Sequence, residues 1–251
     1  MKISACLITH NERDNLDRCL SSLRPVVDEI IVVDSGSTDG SQDICRSYGA
    51  HVTEHKWEGY VAQKNLAISL ASNKWVLSID ADEELSPGLS SAIEMLRENP
   101  PEEDISGYEI SRVVYYRGEW IWHGNWFPDR LVRVFQKDRA RFAGGSVHER
   151  LEIDGTVKRL PGYLHHYTFV SMEERRGRIQ NYANLWAANA IAHGRRAWPW
   201  SAPLRATWRF LRGYVIRRGY LDGSLGWEIA VSNAEEVYMK YQSLRRLQQR
   251  A

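Results

Sequence analysis

The chain has 251 residues with 33 Lys/Arg against 32 Asp/Glu, a formal charge of +1, and that length can bury one substantial core and carry an appendage. Its three cysteines, Cys6, Cys19 and Cys45, are odd in number and confined to the first fifth, which excludes a disulfide framework or a zinc site and reads as reduced thiols. No apolar run reaches transmembrane length and the start does not read as a signal peptide, so a cytoplasmic protein is expected.

The first eighty residues alternate apolar, strand-like runs with amphipathic helical stretches: Ile3 to Ile8, Asn15 to Leu23, Glu29 to Val33 and Ser41 to Tyr48. This βαβα order predicts a parallel sheet. A helix around Val61 to Ala71 leads to a strand over Trp75 to Ile79. Ser86-Pro87 then opens a helix over Leu89 to Arg97, with proline in the first turn, where its missing N–H costs nothing. Each polar loop after a strand falls at the carboxyl edge of the sheet, where open α/β sheets bind ligands. From Gly107 to Gly162, β-branched and aromatic segments such as Tyr108 to Tyr116 and Arg130 to Phe135, broken by glycines, predict an antiparallel or mixed portion. Met172 onward reads as helical, with breaks at Pro199, Pro203, Gly219, Gly223 and Gly226.

Three strand ends carry candidate chemistry. In Ser78-Ile79-Asp80-Ala81-Asp82-Glu83-Glu84 an apolar strand runs into acids; in an extended segment Asp80 and Asp82 point the same way, and two adjacent carboxylates need a cation between them. Hard oxygen ligands select Mg²⁺ or Mn²⁺. The plainer alternative is that Asp82, Glu83 and Glu84 decorate a helix start, although Asp80 lies too early for that. In Val33-Asp34-Ser35-Gly36-Ser37-Thr38-Asp39-Gly40 a strand meets a small polar loop that opens a helix. There Asp34 can accept from a uracil N–H or a ribose hydroxyl, while Ser37, Thr38 or Asp39 serves as helix cap. In Leu7-Ile8-Thr9-His10-Asn11-Glu12 the first strand ends in polar residues without the glycines of a dinucleotide turn or the Gly-Lys-Ser/Thr of a P-loop, which removes dehydrogenases and P-loop NTPases.

In that order and spacing the three strand ends resemble family 2 glycosyltransferases, over roughly residues 1–170. The resemblance implies an α/β A-type glycosyltransferase fold, a Rossmann-like, mostly parallel sheet flanked by helices, with a helical C-terminal appendage. It assigns residues 1–170 to a nucleotide-sugar-binding catalytic domain; residues 171–251 are expected to form a basic helical region facing acceptor and membrane. It implies that Thr9, Asn11, Glu12, Asp34 and the adjoining Ser35 hold the uridine part of the donor. Asp80 and Asp82 resemble the family's Asp-x-Asp, whose second member binds the metal on the diphosphate. Gln63-Lys64-Asn65 resembles a segment near the nucleotide, with Lys64 the donor-contacting residue; a solvated helix face is its alternative.

Transfer needs a base to take the proton of the attacking acceptor hydroxyl. Gly144-Gly145-Ser146-Val147-His148-Glu149-Arg150 resembles the Val-His-Glu segment of the branch that acts on lipopolysaccharide core, which assigns Glu149 as base; a surface acid paired with Arg150 is the alternative. His165-His166-Tyr167 resembles a place where the same branch brings a histidine near the metal and diphosphate; adjacent histidines of a strand face opposite ways, so at most one can reach that site, and His166 is the expected one. Arg130 and Arg133 are candidates for contact with phosphate or an anionic acceptor. The implied activity is an inverting, metal-dependent transfer of a hexose, glucose from UDP-glucose, to a lipid-linked or lipopolysaccharide-core heptose acceptor.

Residues 171–251 carry fourteen Lys/Arg against six Asp/Glu, leaving nineteen against twenty-six for 1–170. Leu204, Trp208, Leu211 and Val215 recur at helical spacing beside Arg205, Arg209 and Arg212, the pattern of an interfacial helix on an anionic membrane or of a helix packed on the catalytic domain. Peripheral attachment at the inner face of the cytoplasmic membrane follows from the first reading. No nucleic-acid module accompanies the charge, so no nucleic-acid partner is expected. Two other functions compete: a nucleotidyltransferase, against which the glycine-free Thr9 to Arg13 counts, and a catalytically silent nucleotide-sugar-binding module.

Overall fold

The computed structural model describes residues 1–145, 148–169 and 172–249. Among the described residues eleven strands are formed: β1 (Ile3–Thr9), β2 (Glu29–Asp34), β3 (His51–Glu54), β4 (Trp75–Ser78), β5 (Glu83–Leu85), β6 (Ile105–Tyr116), β7 (Glu119–Ile121), β8 (Asp129–Gln136), β9 (Ala140–Gly145), β10 (His148–Ile153) and β11 (Thr156–Phe169). The helices are α1 (Arg13–Leu23), α2 (Ser41–Ser47), α3 (Tyr60–Leu70), α4 (Pro87–Glu98), α5 (Met172–Ala192), α6 (Ser201–Leu211) and α7 (Gly223–Gln248). The chain divides into two compact units, Met1–Arg112 with Arg130–His166, and Val113–Asp129 with the chain from Tyr167 onward. The boundary expected at 170/171 falls on residues outside those described.

In the first unit the sheet order is β3-β2-β1-β4-β8-β6-β11-β5. β3, β2, β1 and β4 run parallel, whereas β8 joins β4, and β5 joins β11, antiparallel. The chain therefore leaves β1 in one direction to build β2 and β3, then returns to its other side with β4. Such a reversal opens a crevice at the carboxyl ends of β1 and β4, where a ligand is received without displacing a strand.

Side-chain alternation sorts the strands onto two cores. Ile3, Ala5, Leu7, Ile30, Val32, Trp75, Leu77 and Ile79 join one buried cluster with Leu16, Cys19, Leu20 and Leu23 of α1 and Leu89, Ala92 and Ile93 of α4. The intervening Cys6, Ile31, Val33 and Val76 face a second cluster with Ala67 and Ile68 of α3 and Phe142 of β9. Strands apolar on both faces are what a parallel sheet covered on both sides requires. α4 begins as its sequence predicts: Ser86 accepts from the Leu89 N–H at 3.2 Å and Pro87 occupies the first turn. β9 and β10 pair as a separate antiparallel ribbon, with Glu149 opposite Gly144. All three cysteines are free and buried, and burial pushes the Cys6 thiol up to about 12, which makes it inert at neutral pH.

In the second unit α7 packs against both α5 and α6. Ala187, Ala190 and Leu244 form one small core, and Val114, Tyr116, Ile121, Leu225 and Ile229 another. Gly226, expected to break the helical region, lies inside α7, where a Cβ would meet the Gly219 carbonyl at 1.8 Å; its missing side chain permits a close backbone approach. No helix among the described residues is long and apolar enough to cross a membrane.

Candidate active site

The loops after β1, β2 and β4 converge at the carboxyl edge. Thr9 and Asp34 are register partners on adjacent strands, and the Ser35 N–H donates to the Thr9 carbonyl at 2.9 Å. Asp34 is fully buried and its carboxylate accepts from the Gly36 and Ser37 N–H groups, the Ser37 hydroxyl and the Gln42 amide. Those bonds make Asp34 the clamp of its own turn, with Gly36 supplying the left-handed φ of 84° that the turn needs. The α2 N-cap is Gly40, not Ser37, Thr38 or Asp39; the Asp39 carboxylate instead accepts from the Ser41 N–H at 2.9 Å.

Asn11 bridges the first two loops. Its N–H donates to the Ser37 hydroxyl and its side-chain oxygen accepts from the Thr38 N–H, both at 2.9 Å, with a left-handed φ of 56° that asparagine tolerates better than most residues. The Glu12 N–H donates to the Ser41 hydroxyl, while its carboxylate accepts from the Asn15 amide at 2.8 Å. Burial pushes the Glu12 carboxyl up; Asn15 opposes this, and the charges of Asp82, Asp39 and Asp80 add to it. Thr9 is buried, and its hydroxyl has no hydrogen-bond partner among the described residues.

The acidic strand end departs from the extended geometry expected of it. β4 stops at Ser78, and the Glu83 N–H closes a turn onto the Asp80 carbonyl at 3.0 Å, so Asp80 and Asp82 sit on a turn rather than one strand face. Glu83 and Glu84 open no helix; they form β5 against β11, with Glu83 opposite His166 and Glu84 opposite His165. Asp80 is gripped from two sides, by the Lys64 ammonium at 3.0 Å and the Arg133 guanidinium at 2.8 Å. Burial alone would raise the Asp80 carboxyl, but Arg133 and Lys64 hold it well below the usual carboxylate range. Arg133 also binds the fully buried Glu83 at 2.8 Å, and Arg112 reaches the same oxygen at 3.1 Å. Arg133 is thus buried between two carboxylates, with its Nε left without a hydrogen-bond partner among the described residues.

Lys64 is only 7% exposed. Besides Asp80 it reaches the Glu149 carboxylate at 3.4 Å, and its ammonium lies 5.2 Å from the centre of the Phe142 ring. This is no solvated helix face. Glu149 likewise pairs with Lys64, while Arg150 turns to Glu152 at 2.9 Å. Ser146 and Val147, of the segment that suggested Glu149, lie outside the described residues. The neighbours of Lys64 on α3 also hold the site. Gln63 donates to the Ser35 hydroxyl at 2.8 Å, and Asn65 exchanges two 2.9 Å hydrogen bonds with the backbone of Phe142. One helix therefore fixes both the β2 loop and the ribbon that carries Glu149.

On the far side of the acidic turn His166 Nε2 stands 3.2 Å from Asp82, whereas His165 faces Glu84 at 4.0 Å. His166 Nδ1 is buried with no partner among the described residues. Among those residues no three His, Cys, Asp or Glu side chains converge as a metal cage. The Asp82 carboxylate is a hard oxygen ligand of the kind that suits Mg²⁺ or Mn²⁺, which take few protein ligands and complete their shell with water and substrate phosphate oxygens; the imidazole is the softer donor of the pair. Thr9, Asn11, Glu12, Asp34 and Ser35 are thus brought together at the β1 and β2 ends, and Lys64, Asp80 and Glu149 form one ionic chain. Arg112 is a supporting residue that motif reading missed, and Glu83, read as a helix-start acid, is another whose role it did not show; Gln63 and Asn65, quoted with Lys64, support the site through the Ser35 hydroxyl and the Phe142 backbone.

The family model described as glycosyl transferase family 2 matches residues 4–152. An uncharacterized glycosyltransferase of Rickettsia typhi (strain ATCC VR-144 / Wilmington) is 31% identical, over 98% of this chain and 87% of that protein. The lipopolysaccharide core biosynthesis glycosyltransferase LpsC of Rhizobium meliloti (strain 1021) is 28% identical, over 96% of this chain and 93% of that one. Among solved structures, glucosyl-3-phosphoglycerate synthase from Mycobacterium tuberculosis in complex with Mn²⁺, UDP-glucose and phosphoglyceric acid is 25% identical. That alignment covers 47% of this chain and 44% of that chain, with a TM-score of 0.36.

Proposed function

We infer from membership of glycosyl transferase family 2, to which the chain belongs, that it passes a hexose from a nucleotide-sugar donor to a saccharide acceptor by a single inverting displacement. The donor is read as UDP-glucose and the acceptor as a lipid-linked or lipopolysaccharide-core heptose, met at the inner face of the cytoplasmic membrane. Support for the acceptor comes from the full-length similarity to LpsC. The observation that carries the assignment of roles is the ionic chain Asp80–Lys64–Glu149, which joins the Glu149 carboxylate to the turn after β4.

In this reading residues 1–170 hold the chemistry and 171–251 the acceptor and membrane side. Thr9, Asn11, Glu12, Asp34 and Ser35 line the nucleoside end, with Asp34 shaping the loop that a base and ribose rest on. Asp80 and Lys64 border the diphosphate. Asp82 and His166 would hold Mg²⁺ or Mn²⁺, which when bound neutralises charge on the leaving nucleoside diphosphate. Glu149 takes the proton of the acceptor hydroxyl as its oxygen bonds to the anomeric carbon and the bond from that carbon to the diphosphate breaks. Lys64 keeps the Glu149 carboxylate in one place before the acceptor arrives.

The test is turnover of a panel of UDP- and ADP-sugars with core-oligosaccharide or membrane-lipid acceptors and Mg²⁺ or Mn²⁺, comparing wild type with Glu149→Gln and Asp82→Ala. One donor should be consumed, and Glu149→Gln should lose about 10²- to 10⁴-fold in transfer while still binding donor. Variants as active as wild type would refute the role assignments, and binding of donors with no turnover would favour a binding module.

A further inference from the structure

The C-terminal unit leaves one helix face uncovered. Trp200, Leu204, Trp208, Leu211 and Val215 follow the 3.6-residue repeat down α6 and the turn after it, and they are 72%, 69%, 58%, 42% and 54% exposed. A stripe packed into a core would be buried; this one faces outward, while Phe210 and Tyr214 on another side of the helix pack against Trp227. Trp198 and Ile216 extend it at both ends, at 77% and 61% exposure. Soluble surfaces rarely expose so many large apolar side chains together without a partner.

The surrounding charge identifies the partner. From residue 195 to 221 there are seven arginines and no aspartate or glutamate. Among the described residues none of these arginines lies within 4.0 Å of a carboxylate oxygen; Arg209 is half-buried and feels the charge of Glu236, and Arg205 lies over the Tyr241 ring with 4.8 Å from guanidinium to centroid. An apolar stripe bordered by unpaired arginines matches an acyl boundary topped by phosphate headgroups. Trp198 and Trp200 at the N-terminal end of the stripe suit the headgroup level, where one edge of the ring is wet. A second copy of this chain would set seven arginines against seven, a repulsion that no acid in the segment relieves.

We propose that the exposed face of α6 and the following turn, Trp198 to Ile216, is the docking surface for an anionic lipid bilayer, lying in the interface plane. It rests on the preceding functional reading only in placing the acceptor in a membrane, and docking requires no residue of the β1, β2 and β4 loops.

The experiment is flotation of the full chain with vesicles of phosphatidylcholine alone or with about a third phosphatidylglycerol. Wild type should float with the anionic vesicles and lose binding when NaCl rises from about 0.1 M to about 1 M, which shortens screening from about 10 Å to about 3 Å. Leu204→Glu with Trp208→Glu should weaken partition about tenfold or more, and Arg196→Ser with Arg212→Ser should do so on anionic vesicles alone. All four side chains are exposed, so melting temperature should not move. Wild type that stays with the pellet, or variants that float like wild type, would overturn the proposal. A mass doubling without lipid that Leu204→Glu with Trp208→Glu abolishes would assign the face to self-association and overturn it too. Sugar transfer is not read in this assay, so loss of the glycosyltransfer assignment and loss of docking remain separate results.

Discussion

The Lys64 ammonium lies 3.4 Å from the Glu149 carboxylate, joining residues 85 positions apart in the chain. The same ammonium holds Asp80 at 3.0 Å, so one buried cation ties the acidic turn to the β9–β10 ribbon. Replacing it by methionine keeps the stem but frees Glu149 and leaves Asp80 to Arg133 alone. Lys64→Met should reduce transfer about 10²-fold through misplacement of Glu149 and the diphosphate side together. Single-turnover kinetics with saturating donor measures this; a rate within about twofold of wild type would remove Lys64 from the site.

Asn65 does for the ribbon backbone what Lys64 does for its carboxylate. Its amide both donates to and accepts from Phe142 of β9, imitating a strand neighbour. Each such bond is worth about 0.5–1.5 kcal/mol net, so Asn65→Leu should cost about 1–3 kcal/mol and lower the melting temperature by several degrees. Because the ribbon carries Glu149 and not the nucleoside loops, transfer should fall while donor affinity, read by calorimetry, stays as in wild type. A weakened donor affinity with intact transfer would contradict this division of labour.

Arg133 is the central cation of a buried network, facing Asp80 on one side and the fully buried Glu83 on the other. Removing one partner of such a network leaves uncompensated charge, at a cost of about 3–5 kcal/mol. Arg112 still serves Glu83, which sets the expectation for Arg133→Met at the lower end, about 3 kcal/mol, or a melting temperature lower by roughly 10 °C. A calorimetric shift under about 3 °C would mean that the network adds little to stability.

What the sequence revealed and what it hid divide along contact distance. The order of β1, α1, β2 and α2, the strand ends at Thr9, Asp34 and Asp80, and the Ser86-Pro87 start of α4 are written in adjacent residues. The helical spacing of Leu204, Trp208, Leu211 and Val215 is equally local, although its exposure is not. Alternation along β4 misled because the chain turns at Asp80, where the Glu83 carboxylate three residues on accepts the Asp80 N–H at 3.0 Å and is itself held by arginines far along the chain. Glu83 itself looked like an exposed helix-start acid; its partners Arg112 and Arg133 come from 29 and 50 residues away, so no local pattern marks it as buried. Arg133 misled for the same reason, since an arginine beside aromatic residues does not announce which carboxylate it will meet.

Glu12 offers a case in which site and stability oppose each other. Burial pushes its carboxyl up, and Asp82, Asp39 and Asp80 act in the same direction against the Asn15 hydrogen bond, so the folded protein holds this proton more tightly than the unfolded chain. Between the unfolded value near 4.3 and the higher folded value the native state binds more protons, so stability falls as pH rises through that window. Above it the penalty is fully present. Glu12→Gln removes the charge while keeping shape and an acceptor for Asn15. The variant should therefore melt higher than wild type at pH 7 in the presence of a chelator, with the advantage vanishing below about pH 3, where Glu12 is protonated in both states of wild type. Its transfer rate should fall, because Glu12 borders the nucleoside loops. Melting curves across that range decide the point: a variant less stable than wild type at pH 7, or an advantage independent of pH, would show that Glu12 carries no penalty in the fold.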